Sequence, residues 1–178
     1  MNLKIYEINP NYITYLSAYA PHLFLNRKQN QKNERKFIGI ILQVNGFKYF
    51  APLSSFKEKH RKMKESVDFI KIRNYAVINI NNMFPVPTGE YTYVDIGKEK
   101  DVNYKALLQA EYRIIKASQN KIIKNANIVY KHKLIKGNET PLAKRYIKNQ
   151  APCYQTEYFS RMRSAGQGLG DWHIHKRW

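Results

Sequence analysis

Apolar and polar positions come in short alternating runs over the first hundred residues, and then the period changes. Residues 3–8, LKIYEI, alternate closely enough to predict a first strand. Asn9-Pro10 reads as a helix N-cap with proline at the first helical position. Tyr12, Ile13, Leu16 and Tyr19 would line the buried side of a short helix that Pro21 stops. Residues 21–34 are polar and basic and read as a loop. Residues 36–57, KFIGIILQVNGFKYFAPLSSFK, carry the clearest signal. Two apolar runs, 37–44 and 47–53, flank Asn45-Gly46, and a type I′ hairpin turn needs φ > 0 at both central positions. Pro52 has no N–H to give a ladder, so regular pairing is expected to fail there.

After the hairpin, KEKHRKMKE (57–65) reads as a short helix or an ordered loop. VDFIKIRN and YAVINI predict two short strands around Asn74. MFPVP (83–87) reads as a strand end with two prolines, and YTYVDIG (91–97) alternates and closes at Gly97. Up to this point the pattern gives about six short strands. Between 102 and 136, Leu108, Tyr112, Ile115, Ile122, Ala126 and Val129 fall on one helical face. A break at Ser118-Gln119-Asn120 divides this stretch into two helices. Their exposed face is expected to carry eight Lys/Arg, with only Glu111 in opposition. Residues 137–178 show little periodicity beyond a helix near 142–149. The expected organisation is a domain over 1–136 and a divergent basic segment, 137–178, packed on it or appended to it.

Charge changes the picture. Thirty-one Lys+Arg against 13 Asp+Glu give a net charge of +18. An AT-rich genome would inflate lysine, but it would raise acidic residues about as readily, and these are scarce. A polyanionic partner is therefore expected, nucleic acid first. Aromatic residues interleaved with the cations suit single-stranded RNA, whose exposed bases stack on ring faces. No apolar run approaches the ~20 residues of a membrane-spanning helix. The N-terminus has no apolar run typical of a secretory signal. Cys153 is the only cysteine, so neither a disulfide framework nor a thiolate zinc cluster is expected. These features predict a cytoplasmic protein without a membrane partner.

The candidate chemistry is narrow. His173 and His175 beside Asp171 are too isolated in a glycine-rich stretch to predict a metal site, and neither a metal nor a small-molecule cofactor is expected. GQGLGD is not a phosphate loop, since no strand precedes it and no helix follows. There is no paired-carboxylate signature and no Ser-His-Asp order. Basic residues and hydroxyls alone can support metal-independent RNA cleavage, in which the ribose 2′-OH attacks the adjacent phosphate. Products are a 2′,3′-cyclic phosphate and a 5′-OH end. Lys57 and Arg35 can supply charge to the phosphate, and Ser54 and Ser55 can bond a phosphate oxygen or the 2′-OH. A serine is a poor general base, so a neighbouring lysine, His60 or the substrate itself must help move protons. Strand-end capping is an equally good account of the two serines. Lys36, Lys59, His60, Arg61 and Lys62 beside the hairpin, with Arg113, Lys116 and Lys121 on the later helices, are the expected RNA contacts. A non-catalytic basic RNA-binding protein fits the same features; a DNA-binding regulator lacks a helix-turn-helix or zinc-finger pattern.

The hairpin also resembles a known family. KFIGIILQVNGFKYFAPLSSFK is similar to the F-x-G-I-V/I-L-x-I-x-G-x-K-Y-x-A-P-L-[TS]-S-x-K block of the ToxN/AbiQ endoribonuclease toxins of type III toxin–antitoxin systems. The opening YEINPNYITYL, the MFPVP segment and the Ser-Gln-Asn-Lys helix junction extend the likeness over roughly residues 3–135. The resemblance implies an α+β fold: a compact, strongly twisted antiparallel β-sheet of about six strands, a Kid/MazF-like barrel, surrounded by about four helices. It implies cleavage of adenine-rich RNA and inhibition by a small repeat RNA that folds as a pseudoknot. It further implies that the toxin processes this antitoxin RNA and stays bound to its repeats in a closed protein–RNA assembly. Cellular or phage RNA, mRNA included, would be the substrate, and the role would be phage defence by abortive infection. The family's essential serine falls on Ser55, its preceding Thr/Ser on Ser54, its lysine on Lys57 and its upstream basic residue on Arg35. An arginine in that seat favours charge stabilisation over proton transfer. Two departures stand out: Gln31 or its neighbours replace a loop tyrosine, and 137–178 lacks the usual short Phe/Leu/Glu-rich helix.

Overall fold

A computed structural model of the chain describes residues 2–19, 36–44 and 46–134. Arg35 and the loop before it, Asn45 and the segment 137–178 with its expected helix lie outside the described residues.

The opening follows its sequence. Strand β1 (Lys4–Ile8) runs into helix α1 (Pro10–Tyr19). The Asn9 Oδ1 accepts the Asn11 N–H at 2.9 Å, and the Asn9 carbonyl accepts from Ile13 N–H at 3.1 Å. Proline at the first helical position loses nothing, because its N–H would have no helical partner anyway. Tyr12, Ile13 and Leu16 are buried, and the Tyr12 hydroxyl donates to the Pro85 carbonyl at 2.8 Å.

The hairpin strands β2 (Phe37–Val44) and β3 (Phe47–Ser55) pair antiparallel, with Gly46 at φ +82° in the turn. Five further elements complete the β structure and its links: β4 (Phe69–Ile72), β5 (Ala76–Asn79), a 3₁₀ turn (Ile80–Asn82), β6 (Phe84–Val86) and β7 (Tyr91–Tyr93). All strand pairs are antiparallel, in the order β4-β5-β3-β2-β1-β7, with β6 also beside β3. The described residues thus form seven strands where about six were expected.

β3 does not stop at Pro52, contrary to the sequence expectation. On one edge it pairs with β2 as far as Phe37↔Pro52, and Leu53 N–H donates to the Lys36 carbonyl at 3.0 Å. Successive N–H groups point to opposite edges. The missing N–H of Pro52 therefore belongs to the other edge, where β6 covers residues 48–50 and β5 covers 53–55. Proline sits at the handover between two partners, where no ladder bond is lost.

The sheet is buried on both faces. Ile8, Tyr12, Ile13, Leu16, Phe37, Phe50, Phe84 and Val86 form one core under α1. A larger core, with Ile5, Ile38, Tyr49, Ala51 and Leu53 from the sheet, lies under α3 (Val102–Ala117) and α4 (Gln119–Leu134). Double-sided burial explains why β2 reads as an apolar run and not as an alternation. β2 also carries an irregularity between Ile38 and Leu42, and a Cβ at Gly39 would run into the Phe50 ring.

The two helices break at Ser118, as the sequence predicts: its N–H donates to the Ile114 carbonyl at 2.9 Å, and its own carbonyl accepts from Ile122 N–H at 3.0 Å. Leu108, Ile115, Ile122, Ala126 and Val129 are all buried. Glu111 is a correction: it belongs to the buried side, not to the exposed one. A second correction falls on residues 91–97. The strand ends at Tyr93, because Asp95 Oδ1 accepts Gly97 N–H at 3.0 Å and caps a 3₁₀ turn (Ile96–Lys98).

Candidate functional site

The site is built on the far end of β3. Ser54 and Ser55 are the last residues of the strand and pair with Val77 and Ala76 of β5. Strand alternation sends their side chains to opposite faces; Ser54 is half-buried and Ser55 exposed. Among the described residues neither hydroxyl has a hydrogen-bond partner, so neither caps the strand end. The backbone around them is fixed residue by residue. Phe56 N–H donates to the Tyr75 carbonyl at 3.0 Å, extending the β5 ladder by one step. Lys57 N–H donates to His60 Nδ1 at 3.0 Å, and His60 N–H to the Lys57 carbonyl at 2.8 Å. This pair opens the one-turn helix α2 (Glu58–Lys62) with Lys57, exposed and extended, as its N-cap.

The expected RNA contacts divide into those the fold leaves accessible and those it does not. Lys57, Lys59 and Lys62 are exposed on or beside α2, and Arg61 is exposed while paired with Glu58 at 3.0 Å. Lys121, at the start of α4, is drawn to this region by Glu65. One Glu65 oxygen accepts from Lys121 Nζ at 2.7 Å, and the other accepts the Lys71 N–H at 2.8 Å. Burial opposes ionisation of Glu65, but the two hydrogen bonds and both lysine charges outweigh it and pull its pKa down. Arg113 is exposed on α3, and Lys116 donates to Asn2 Oδ1. Among the described residues no hydrogen bond or ion pair joins either of them to α2. Arg35 lies outside the described residues.

Two sequence expectations are corrected. Lys36 is buried, its ammonium bound to the Glu7 carboxylate of β1 and 5.8 Å from the Tyr104 ring centroid, so it is not a free surface cation. His60 is buried at 6 % exposure between the rings of Phe56 and Phe69, whose centroids lie 5.6 and 5.8 Å from its own. Its pKa is lowered, first by burial and then by Lys59, Lys57 and Lys71, so the ring is neutral near pH 7.

Sequence reasoning missed a polar group behind the sheet. Desolvation first, then Glu111, Glu99 and Glu7, push the Tyr104 hydroxyl up to about 12. Burial raises the Glu111 carboxyl to about 7. The spacing of Glu111 from Leu108 and Ile115 was the available signal, masked by its charge. On the β1–β7 edge, Lys4 lies 4.7 Å from the centroid of the exposed Tyr93 ring, and Lys48 donates to the Tyr91 hydroxyl at 2.8 Å. Among the described residues no three His, Cys, Asp or Glu come together as a metal site would require, and no helix is long and apolar enough to cross a membrane.

An antiparallel sheet with helices on both faces, ending one central strand in hydroxyls beside exposed lysines, defines a basic α+β protein suited to a polyanion. The comparisons narrow this to a family. The family model described as toxin ToxN of type III toxin–antitoxin systems matches residues 4–150, and the chain belongs to that family. It is 32 % identical over 128 residues to endoribonuclease ToxN of Pectobacterium atrosepticum, covering 67 % of this chain and 75 % of that protein. A solved structure from work on a bacterial antiviral system regulated by a processed non-coding RNA superposes with a TM-score of 0.69 at 27 % identity. It covers 82 % of this chain and 98 % of that one. Another, from work on selective inhibition of a type III toxin by a non-coding RNA pseudoknot, superposes with a TM-score of 0.71 at 25 % identity, covering 84 % and 90 %.

Proposed function

We propose that this chain is a metal-independent endoribonuclease toxin that cleaves RNA by transesterification. The observation that carries the reading is the exposed Ser55 hydroxyl, free of any partner among the described residues, two positions from the exposed Lys57 on a backbone held at every step. In this reading the RNA strand lies across the end of β3 with its 2′-OH in line with the scissile phosphate. Lys57 and Arg35 stabilise charge on the non-bridging oxygens as the phosphorane forms. Ser55 orients the 2′-OH or the phosphate, and Ser54, whose side chain leaves the strand on the opposite face, assists by supporting the strand end and not by touching the same oxygen. The 2′-OH gives up its proton as the bond from the 2′ oxygen to phosphorus forms. The bond from phosphorus to the 5′ oxygen breaks, and the leaving oxygen takes up a proton, so no net proton is gained or lost. Because general bases are scarce here, positioning and charge carry most of the rate.

The family relationship supports the wider reading. Substrates are cellular or phage RNA, adenine-rich sites among them, and the inhibitor is a repeat RNA that folds as a pseudoknot and is processed by the toxin. The toxin and its RNA repeats form a closed assembly, and release of the toxin on infection arrests growth in the cytoplasm. The twisted sheet is read as Kid/MazF-like. End-group analysis tests the reading. Cleavage in EDTA should yield 5′-OH and 2′,3′-cyclic phosphate ends, and a requirement for Mg²⁺ would overturn it.

A further inference from the structure

We infer that His60 is a positioning residue of the proposed cleavage site, holding the turn from Ser55 to Lys57 through its Nδ1; the inference rests on the function proposed above. The backbone accounting makes the case. Ser55 is held by the β5 ladder, and Phe56 N–H by the Tyr75 carbonyl. The ladder then ends, and the next N–H, that of Lys57, has His60 Nδ1 as its acceptor at 3.0 Å. The ring that supplies this acceptor is itself fixed. It is buried, packed edge-on against Phe56 and tilted against Phe69, and its backbone N–H closes back onto the Lys57 carbonyl. His60 therefore touches Phe56, the residue between Ser55 and Lys57, by its ring, and Lys57 by its backbone N–H.

Accepting a hydrogen bond at Nδ1 requires that nitrogen to be unprotonated, so the neutral ring carries its proton on Nε2. The charges that face it are all positive: Lys57 and Lys59 from its own segment and Lys71 from β4. Protonation would turn Nδ1 from acceptor to donor opposite an N–H and add a buried charge among three lysines. Cleavage should therefore depend on a neutral His60, although the side chain is buried and does not meet the RNA.

Two substitutions separate positioning from packing. His60→Asn keeps a carbonyl oxygen near the place of Nδ1, whereas His60→Leu keeps bulk and removes the acceptor. Single-turnover cleavage, RNA affinity and thermal midpoint are measured for both, with Ser55→Ala alongside. His60→Leu should lose about tenfold or more in cleavage rate while RNA affinity stays within about twofold, because a displaced turn misaligns the reacting groups. His60→Asn should restore most of that rate. The parent should lose activity as pH falls below the ordinary histidine value, and His60→Asn should lack that acid limb. The inference is overturned if His60→Asn is as impaired as His60→Leu, if it keeps the acid limb, or if both variants cleave like the parent. If His60→Leu does not fold, the rate and pH profile of His60→Asn decide the matter. A parent that does not cleave RNA overturns the proposed function itself; a cleaving parent, an inactive Ser55→Ala and unaffected His60 variants overturn only this inference.

Discussion

The buried Lys36 ammonium is bound to the half-buried Glu7 carboxylate, and the Lys36 carbonyl accepts the Leu53 N–H at 3.0 Å, one residue before the Ser54-Ser55 pair. A residue that looked like part of a basic RNA-binding run is instead a strut between β1 and β3. Lys36→Gln should lower stability by about 1 kcal/mol or less, since the Glu7 carboxylate that loses its counter-charge is itself 38 % exposed. Urea unfolding checks this. The salt dependence of RNA binding by the folded variant should match the parent's.

The accessible lysines should behave in the opposite way. Lys59→Gln and Lys62→Gln should each weaken RNA binding and reduce the slope of log K against log salt by about one, as loss of a phosphate contact does. Neither should shift the unfolding midpoint measurably, because both side chains are exposed. Binding isotherms at several salt concentrations provide the measurement.

Gly39 answers to Phe50. The ring occupies the space a Cβ would need, and Phe50 is wholly buried. Gly39→Ala should cost about 1–3 kcal/mol through forced displacement of the ring. Adding Phe50→Leu should recover part of that loss, so a double-mutant cycle should show coupling. Additive effects would mean that the ring does not fill that space.

Glu111 should make stability depend on pH in the sense opposite to an ordinary carboxylate. Its pKa rises from 4.5 to about 7 on folding. The folded chain thus holds an extra proton between those values, and the associated stability is present below 4.5 and lost as pH rises through about 7. Glu111→Gln, which cannot ionise, should gain about 1–3 kcal/mol over the parent near pH 8 and almost nothing in acid. Unfolding midpoints at the two extremes test it.

Much of this was legible in the residues. The Asn9 cap, the helix break at Ser118, the hairpin about Gly46 and the α3/α4 stripe follow from period and turn chemistry, which are local. Pro52 was read correctly as lacking a donor. The gap it needs is made by β5 and β6, two strands that arrive from well downstream in the chain, and no local pattern reports that. Lys36 and His60 sit in polar, basic runs, and only the tertiary contacts of Glu7, Phe56 and Phe69 bury them. Glu111 had the right helical spacing, but charge was weighed above spacing. Ser55 and Lys57 came from a motif, and the fold adds the exposure of both.

The most direct test of the central claim is single-turnover cleavage of an adenine-rich RNA by parent and Ser55→Ala in EDTA. The parent should cut, and Ser55→Ala should fall by about a hundredfold or more while still binding the RNA. Equal rates for the two proteins would contradict the account.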